Sequence, residues 1–283
     1  IEFLAGKQEF ARLGVLDDVD ISLLTHVSPT ESNTLRPGTS HNGMIAKTVR
    51  FIGRSAHAGG SPHLGINALN AANLAIQGIA LLRETFQDDD HIRIHPIITR
   101  GGTAVSSVPA NVTMEMFIRA ASIDAMKDAE AKVDRALKGA AMTIGATVEI
   151  STSPGYMPSL FDSSLSHLYD ESVRSLLGES AIGRMPHRTS STDMGDISMI
   201  MPAMQSYAGG AVGRTHSNEF EITDWNLDVI DAGKAFASTV IDLLADDGSK
   251  AKQIIDDFEV TLSRDEYLKT LRGFERIEVW DGN

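Results

Sequence analysis

The sequence contains no cysteine, and this absence limits both its covalent and its metal chemistry. Without cysteine there are no disulfides and no thiolate metal ligands. Any bound metal must therefore be held by nitrogen and oxygen atoms of His, Asp and Glu. The absence also fits a reducing compartment, and with the acidic composition it favours a cytoplasmic protein.

Long apolar runs and an excess of basic residues are absent too. No run approaches the roughly 20 apolar residues that a membrane span needs, and the N-terminus has no signal peptide. The net charge of −13 argues against nucleic acid, which attracts basic surfaces. The 283 residues, 42% of them hydrophobic, suit about two globular domains. We therefore predict no membrane and no nucleic-acid partner.

An initiator methionine is also missing, because the chain begins at Ile1. We interpret this as a sign that an upstream part is absent from the sequence. Residues 1–41 then contain a short helix ended by Gly14 and the apolar strand "DISLLTHV". His26 lies at the carboxyl end of that strand, where open α/β sheets bind their ligands.

The middle of the chain alternates between strand and helix patterns. Three segments alternate in polarity as strands do, the segment "ATVEISTS" closes the unit as a fourth strand, and two long segments repeat apolar residues at helical spacing. Ser122 precedes the second helix and is a predicted N-cap. The order is β-α-β-β-α-β, which is the ferredoxin-like arrangement. We predict this inserted domain over residues 42–153, flanked by α/β segments 1–41 and 154–283 of a larger domain.

Two histidines follow predicted strands of the larger domain. His26 lies in "LLTHVSP" and His216 in "GGAVGRTHSNEF", beyond the glycines Gly209, Gly210 and Gly213. Neutral imidazole at such a sheet edge is a common zinc ligand. The alternative, that each is a capping or surface histidine, stays open because the two share no short motif.

Four other polar residues can each be explained either by a functional role or by a structural one. Asp193 and Asp196 in "TSSTDMGDIS" could line a metal site or cap a helix. His57 in "GRSAHAGGSPHLG" could donate a hydrogen bond to an oxyanion or be incidental to a helix start. Arg119, on a strand after the loop "GGTAVSSVPANV", could clamp a carboxylate or be a solvated arginine.

Several motifs, taken in order, resemble those of the metal-dependent amidohydrolase, aminoacylase and carboxypeptidase family of metallopeptidases, which includes p-aminobenzoyl-glutamate hydrolase and the auxin-conjugate amidohydrolases. The resemblance runs over nearly the whole chain and fades after about Asp246. The motifs are "FLAGKQEFARLGVLDDVD", "GRSAHAGGSPHLGINALNAA", "IRIHPIITRGGTAVSSVPANV", "PGYMP", "STDMGDIS" and "GGAVGRTHS".

The resemblance implies an α/β, zinc-peptidase-like catalytic domain, here incomplete, with an inserted α+β ferredoxin-like lid that also dimerises. It implies two divalent metals per subunit in the complete protein, of which zinc, manganese or cobalt are candidates. His26 and His216 match metal ligands, and His57 matches a lid histidine that reaches a partner subunit's active site. Arg119 is a looser match to a substrate-binding strand. Gly209, Gly210 and Gly213 match the loop that lines the substrate pocket.

The chain departs from the family pattern at two places. Ser106 stands where the family has asparagine, which puts a substrate contact there in doubt. The family's first metal-binding motif and its paired glutamates precede the "FLAGKQE" segment, and Glu2 lies too close to that segment to be one of them.

We therefore predict a parent enzyme that hydrolyses an amide bond in N-acyl or N-aryl amino-acid conjugates with metal-activated water, and that forms a homodimer through its lid. For this chain alone the alternative is a non-catalytic homodimerising fragment or scaffold. A nucleotide-binding α/β protein is disfavoured, since no dinucleotide-type glycine pattern joins a strand to a helix.

Overall fold

The computed structural model describes residues 6–29 and 33–281 as a mixed α/β chain, which confirms the predicted class. Glu2 lies outside the described residues. None of the helices described is long and apolar enough to cross a membrane. The helices are α1 (Gly6–Leu13), α2 (Ala68–Leu81), α3 (Ile123–Ile144), α4 (Ser163–Leu177), α5 (Met194–Ser198), α6 (Ala232–Asp257) and α7 (Arg264–Phe274).

The strands form one five-stranded sheet, one three-stranded sheet and two small pairs. They are β1 (Ser22–Val27), β2 (Leu35–Pro37), β3 (Ser40–His41), β4 (Gly43–Ile52), β5 (Arg93–Arg100), β6 (Asn111–Ala120), β7 (Thr147–Pro154), β8 (Ser159–Leu160), β9 (Ala203–Ala208), β10 (Ala211–Val212), β11 (Glu221–Ile222) and β12 (Arg276–Trp280). The large sheet has the order β12-β7-β4-β6-β5, and the three-stranded sheet has the order β1-β9-β2.

The ferredoxin-like segment has the predicted order β4-α2-β5-β6-α3-β7. Alternate residues of β6 are buried, so one face of the sheet packs under α2 and α3. Ser122 caps α3 as predicted, with its hydroxyl accepting from the Ala125 amide, and Gly145 ends the helix at φ 74°. α2 begins later than its sequence pattern suggests, because the Asn67 side chain caps it by accepting from the amides of Leu69 and Asn70.

The second α/β unit is built around β9, all six residues of which are buried. β1 lies parallel to it on one side and β2 antiparallel on the other. α4 and α6 pack against each other on this unit, around Leu165, Val173 and Ala235. α6 is interrupted at residues 245–248, where Asp246, Asp247 and Gly248 have positive φ.

The C-terminal segment returns to the ferredoxin-like sheet. β12 pairs antiparallel with β7, from Arg276 opposite Thr152 to Trp280 opposite Val148. α7 begins at a capping box formed by Ser263 and Glu266. The sequence pattern assigns the whole of residues 154–283 to the other unit. In the structure β12 instead continues the lid sheet beyond β7, where Arg276 pairs with Glu130 and Asp134 of α3.

Candidate metal and substrate site

Parallel pairing of β1 and β9 creates the edge at which the predicted ligands lie. His26 stands directly opposite Tyr207 in the register, and both strands end within two residues of this pair. The glycine loop and the turn with His216 follow β9 immediately. The loop that leads to His216 therefore begins beside His26, at the carboxyl end of this sheet, which is the ligand-binding edge of α/β folds.

The backbone of β1 sets the tautomer of His26. Its Nδ1 lies 2.5 Å from the carbonyl oxygen of Val27, so this nitrogen carries the proton and donates. The lone pair is left on Nε2, and the side chain is exposed. A histidine held through Nδ1 in this way presents Nε2 as a metal ligand.

His216 is carried by a tight turn between β10 and β11. It is exposed and has a φ of 63°, in the left-handed region that non-glycine residues seldom adopt. The Ser217 hydroxyl donates to the Arg214 carbonyl at 2.8 Å and closes the turn. Gly213, at φ 80°, is needed here, because a Cβ at this position would collide with the carbonyl of Glu219.

Gly210 allows the loop after β9 to approach the start of the next helical segment. Its carbonyl accepts from the amides of Thr223 and Asp224, each at 2.9 Å. A Cβ on Gly210 would lie 2.5 Å from the Asp224 carbonyl and 2.6 Å from the Asp228 Cβ. Burial raises the pKa of Asp228, and the nearby His26 acts in the opposite direction.

The described residues do not complete a metal site. Within residues 6–29 and 33–281, no group of three or more His, Asp or Glu side chains is placed to hold a metal ion. His26 presents the lone pair of Nε2 and His216 an exposed ring, and both are nitrogen donors. Such donors suit zinc and neighbouring transition metals.

His57 lies in the loop between β4 and α2 with the opposite tautomer. Its Nδ1 accepts from the amides of Gly59 and Gly60, at 3.1 and 3.0 Å. Because a neutral imidazole has one donor and one acceptor, the proton must be on Nε2. The exposed His57 ring therefore presents a hydrogen-bond donor, as an oxyanion contact requires.

Ser106 lies beside His57, whereas Arg119 has other surroundings. The Ser106 carbonyl accepts from the amide of Ala58 at 2.9 Å, which brings the two loops together. The guanidinium of Arg119 lies 5.3 Å from the centre of the Phe117 ring, and its Nη2 is 3.9 Å from the Met44 sulfur. These contacts hold Arg119 against the five-stranded sheet. A substrate carboxylate would therefore have to approach this sheet to bind it.

Asp193 and Asp196 both contact α1. Lys7 pairs with Asp193 at 2.8 Å. Asp196 is buried and accepts at Oδ1 from Tyr267 at 2.9 Å and from Gln8 at 3.1 Å. Burial raises the pKa of Asp196 to about 7, although these hydrogen bonds oppose the shift. Neither carboxylate caps α5 with its side chain, so the packing of α1 and α7 accounts for both acids.

A polar chain that sequence reasoning missed lies under His26. Thr192 donates to Gln205 at 2.8 Å, and Gln205 donates to the Tyr207 hydroxyl at 2.6 Å. Tyr207 lies 2.6 Å from Nε2 of His41, whose Nδ1 lies 3.2 Å from the Ser159 hydroxyl. Burial, with Arg188 nearby, lowers the pKa of His41 to about 3, so its ring is neutral and accepts from Tyr207.

Arg188 covers this chain of hydrogen bonds. Its guanidinium carbon lies 5.1 Å from the centre of the Tyr207 ring, and the His26 ring centre lies 5.6 Å from the same point. No local motif could have revealed the cluster, because β1 and β9 are about 180 residues apart, as the Ser206–Leu24 separation of 182 shows. The signal available was a row of polar residues in the buried strand "AMQSYA".

Comparison with known proteins supports the resemblance drawn from the sequence. Residues 39–143 match the family model of the peptidase dimerisation domain of M20 peptidases. The Xaa-Arg dipeptidase of Mus musculus is 26% identical over 249 residues, which are 84% of this chain and 56% of the relative. One of the p-aminobenzoyl-glutamate hydrolase subunits of Escherichia coli (strain K12) is 34% identical over 146 residues, 51% of this chain and 29% of that relative.

A solved structure agrees with the fold. The dinuclear metal-binding peptidase of the M20 family from Bacillus subtilis superposes with a TM-score of 0.61 at 18% identity, over 84% of this chain and 61% of that one. The similarity to amidohydrolases of this family and the zinc-peptidase-like fold with a lid are thereby confirmed. The chain spans little more than half the length of the curated dipeptidase that it matches.

Proposed function

We propose that this chain is part of a metal-dependent hydrolase that cleaves the amide bond of N-acyl or N-aryl amino-acid conjugates or dipeptides. One observation carries the proposal: His26 is fixed by its Nδ1 hydrogen bond with the Nε2 lone pair available, at the sheet edge where the loop leading to His216 begins. The names of the relatives, a dipeptidase and an aminobenzoyl-glutamate hydrolase, support this substrate class.

His26 and His216 would hold divalent metal, two ions per subunit in the complete protein, with zinc, manganese and cobalt as candidates. When bound, the metal supplies a Lewis acid that activates water and polarises the amide carbonyl. The remaining ligands and a general-base glutamate have to come from residues beyond those described. Asp193 and Asp196 have partners in the packing of α1, so we assign them no ligand role.

The lid would supply the groups that meet the substrate. His57 would donate from Nε2–H to the oxygen that becomes negative in the transition state, reaching the active site of a partner subunit. Ser106, next to it, would take the place of the family's asparagine at the substrate, and Arg119 would need a lid movement to reach a carboxylate. Gly209, Gly210 and Gly213 would let the loop after β9 lie against the substrate.

A second candidate function is a homodimerising module without activity of its own. It is favoured by one observation: the dimerisation domain is matched over residues 39–143, whereas no three metal-ligating side chains meet among the described residues. Under either proposal we take residues 42–153 as the lid and dimerisation domain, and residues 1–41 and 154–283 as parts of the catalytic domain, with the C-terminal strand added to the lid sheet.

The test is amide hydrolysis by the protein with its upstream residues restored. We would assay a panel of N-acyl amino acids, Xaa-Arg dipeptides and aminobenzoyl-glutamate, with and without a chelator. We expect chelator-sensitive activity that falls at least about a hundredfold in His26→Ala and His216→Ala, because a metal ligand is lost. His167→Ala is the matched control, since His167 is exposed and pairs only weakly with Glu171 at 3.4 Å.

Activity that is absent from the whole panel, together with no metal by elemental analysis, would contradict the enzyme and leave the dimerising module. Activity that survives both histidine substitutions would contradict the ligand assignment.

A further inference from the structure

Arg188 is a partly exposed cation that forms no ion pair with a carboxylate of the described residues. Its Nη1 lies 3.7 Å from the Met185 sulfur, and its charge rests on the face of Tyr207 at 5.1 Å. Four residues upstream, Arg184 is paired with Asp170 at 2.9 Å. Arg188 is therefore available to bind an anion.

The groups beneath Arg188 are neutral, so they do not supply the missing negative charge. Burial raises the pKa of Tyr207 to about 12, and burial lowers the pKa of His41 to about 3. Gln205 and Thr192 complete the same chain and carry no charge. A guanidinium stacked on a neutral aromatic ring keeps its edge free for bidentate hydrogen bonds to a planar anion.

The position of Arg188 is fixed by the backbone. Its amide donates to the Ser40 carbonyl, and its carbonyl accepts from the Asn42 amide, each at 3.0 Å. The neighbouring His187 is held by Ser40 at 2.8 Å and by Asn42 at 2.9 Å. Such anchoring is typical of a binding group that has to be held in place before the ligand arrives.

Arg188 and His26 flank one aromatic ring, with their groups 5.1 and 5.6 Å from its centre. The Arg188 guanidinium carbon and the centre of the His26 ring therefore lie within about 11 Å of each other, a span that one amino-acid conjugate can cover. We infer that Arg188 binds a carboxylate group of the substrate beside His26, so that the hydrolase selects substrates with a free carboxylate. The inference rests on the proposed function for the role of His26, and it assigns to Arg188 the contact for which the sequence suggested Arg119.

The test measures equilibrium binding to this chain in the presence of a chelator, so that metal and turnover are not involved. The probe is N-acetyl-L-glutamate, followed by the NMR signal of the Arg188 side-chain Nε–H and by calorimetry. N-acetylglutamine keeps only the α-carboxylate, N-acetylisoglutamine keeps only the side-chain carboxylate, and the diamide has neither. The two singly charged probes therefore distinguish which carboxylate Arg188 holds.

We expect the acid to shift the Arg188 signal and the diamide to leave it unchanged. Arg188→Met should weaken binding of the acid about tenfold or more, because a charge-assisted bidentate contact is lost. Arg188→Lys keeps the positive charge but lacks the planar guanidinium with its paired N–H donors, so it should recover only part of the affinity. Arg184→Met, from the same loop, should bind as the unaltered chain does.

Three outcomes would overturn the inference: no binding of the acid to the unaltered chain, equal binding by Arg188→Met, or equal binding of acid and diamide. A purely structural Arg188 would lower the unfolding temperature in Arg188→Met and leave binding unchanged. Carboxylate binding through Arg188 in a protein that hydrolyses nothing would refute the proposed function alone.

Discussion

Two histidines of this chain show how neighbouring backbone decides the chemistry of one residue type. At His26 a carbonyl oxygen accepts from Nδ1–H and leaves Nε2 as an electron-pair donor. At His57 two amides donate to Nδ1, so Nε2 carries the proton. The first arrangement suits a metal ligand and the second an oxyanion contact. Identical side chains thus have opposite proposed roles.

Asp196 gives a pH dependence at the scale of a single residue. Its carboxyl group is buried, and its Oδ2 has no hydrogen-bond partner among the described residues. Burial raises its pKa to about 7 from the ordinary value of 3.8, so the folded chain keeps a proton that the unfolded chain loses. The unfolded state therefore binds fewer protons between about pH 4 and pH 7, and stability falls as pH rises through that range.

We expect Asp196→Asn to reduce the loss of stability with rising pH, because the amide stays neutral while its oxygen keeps accepting from Tyr267 and Gln8. The measurement is the free energy of unfolding in urea at pH 5.0 and pH 7.5, for the unaltered chain and the variant. The unaltered chain should lose on the order of 3 kcal/mol over this interval through Asp196. Asp193→Asn is the control, and an identical pH slope in Asp196→Asn would contradict the assignment.

At the scale of elements, a buried ion-pair network joins β4, α3 and β12. Lys47 has a fully buried side chain and lies 3.1 Å from Glu130 and 2.8 Å from Asp134. Arg276 on β12 pairs with the same two carboxylates, at 2.9 and 2.8 Å. The two cations thus balance the two carboxylates, and β12 supplies one of the two cations. Strand β12 therefore packs as part of the lid.

We expect Lys47→Met to destabilise the chain by about 3–5 kcal/mol, because it leaves two buried carboxylates with one cation between them. Urea unfolding followed by circular dichroism measures the loss. Arg50→Met is the matched control on the same strand, since its pair with Glu149 is 3.5 Å long and its side chain is 46% exposed. The control should cost no more than about 1 kcal/mol. Equal losses in the two variants would show that the network adds nothing.

At the scale of the whole molecule, the two edges of the large sheet differ. The edges are β12 and β5, each paired with a single strand among those described, but only β5 lies within residues 39–143, which match the dimerisation-domain model. β5 presents Ile97 with 51% of its surface exposed. An unpaired strand edge with an exposed apolar residue is a template for pairing with another chain. We therefore place the proposed homodimer contact at β5.

Light scattering after size-exclusion chromatography tests this placement. The unaltered chain should have twice its 30.5 kDa mass, and Ile97→Lys should shift it toward a single chain, because a charge at the edge opposes pairing. Val279→Lys is the control on β12, where Val279 is 62% exposed. A dimer that persists in Ile97→Lys and dissociates in Val279→Lys would place the interface at the other edge.

Consecutive residues alone are enough to predict the local elements and the order of the strands and helices of the lid. Alternation in β4 and β6, helical spacing in α2 and α3, and the Ser122 cap are properties of consecutive residues. His26, His57 and His216 could be singled out because each follows a strand or lies in a glycine loop. What Arg188, Tyr207 and His41 do could not be foreseen, since their contacts join residues far apart in sequence.

Which side chains meet, and which hydrogen bonds they make, depends on contacts between distant parts of the chain. In the folded chain Asp196 packs between α1 and α7, and β12 pairs with β7 of the lid sheet. Burial and partner atoms fix pKa values, tautomers and ion pairs, and both arise from long-range packing. Periodicity encodes which face of an element is buried, whereas the identity of the partner is set by the geometry of the assembled chain.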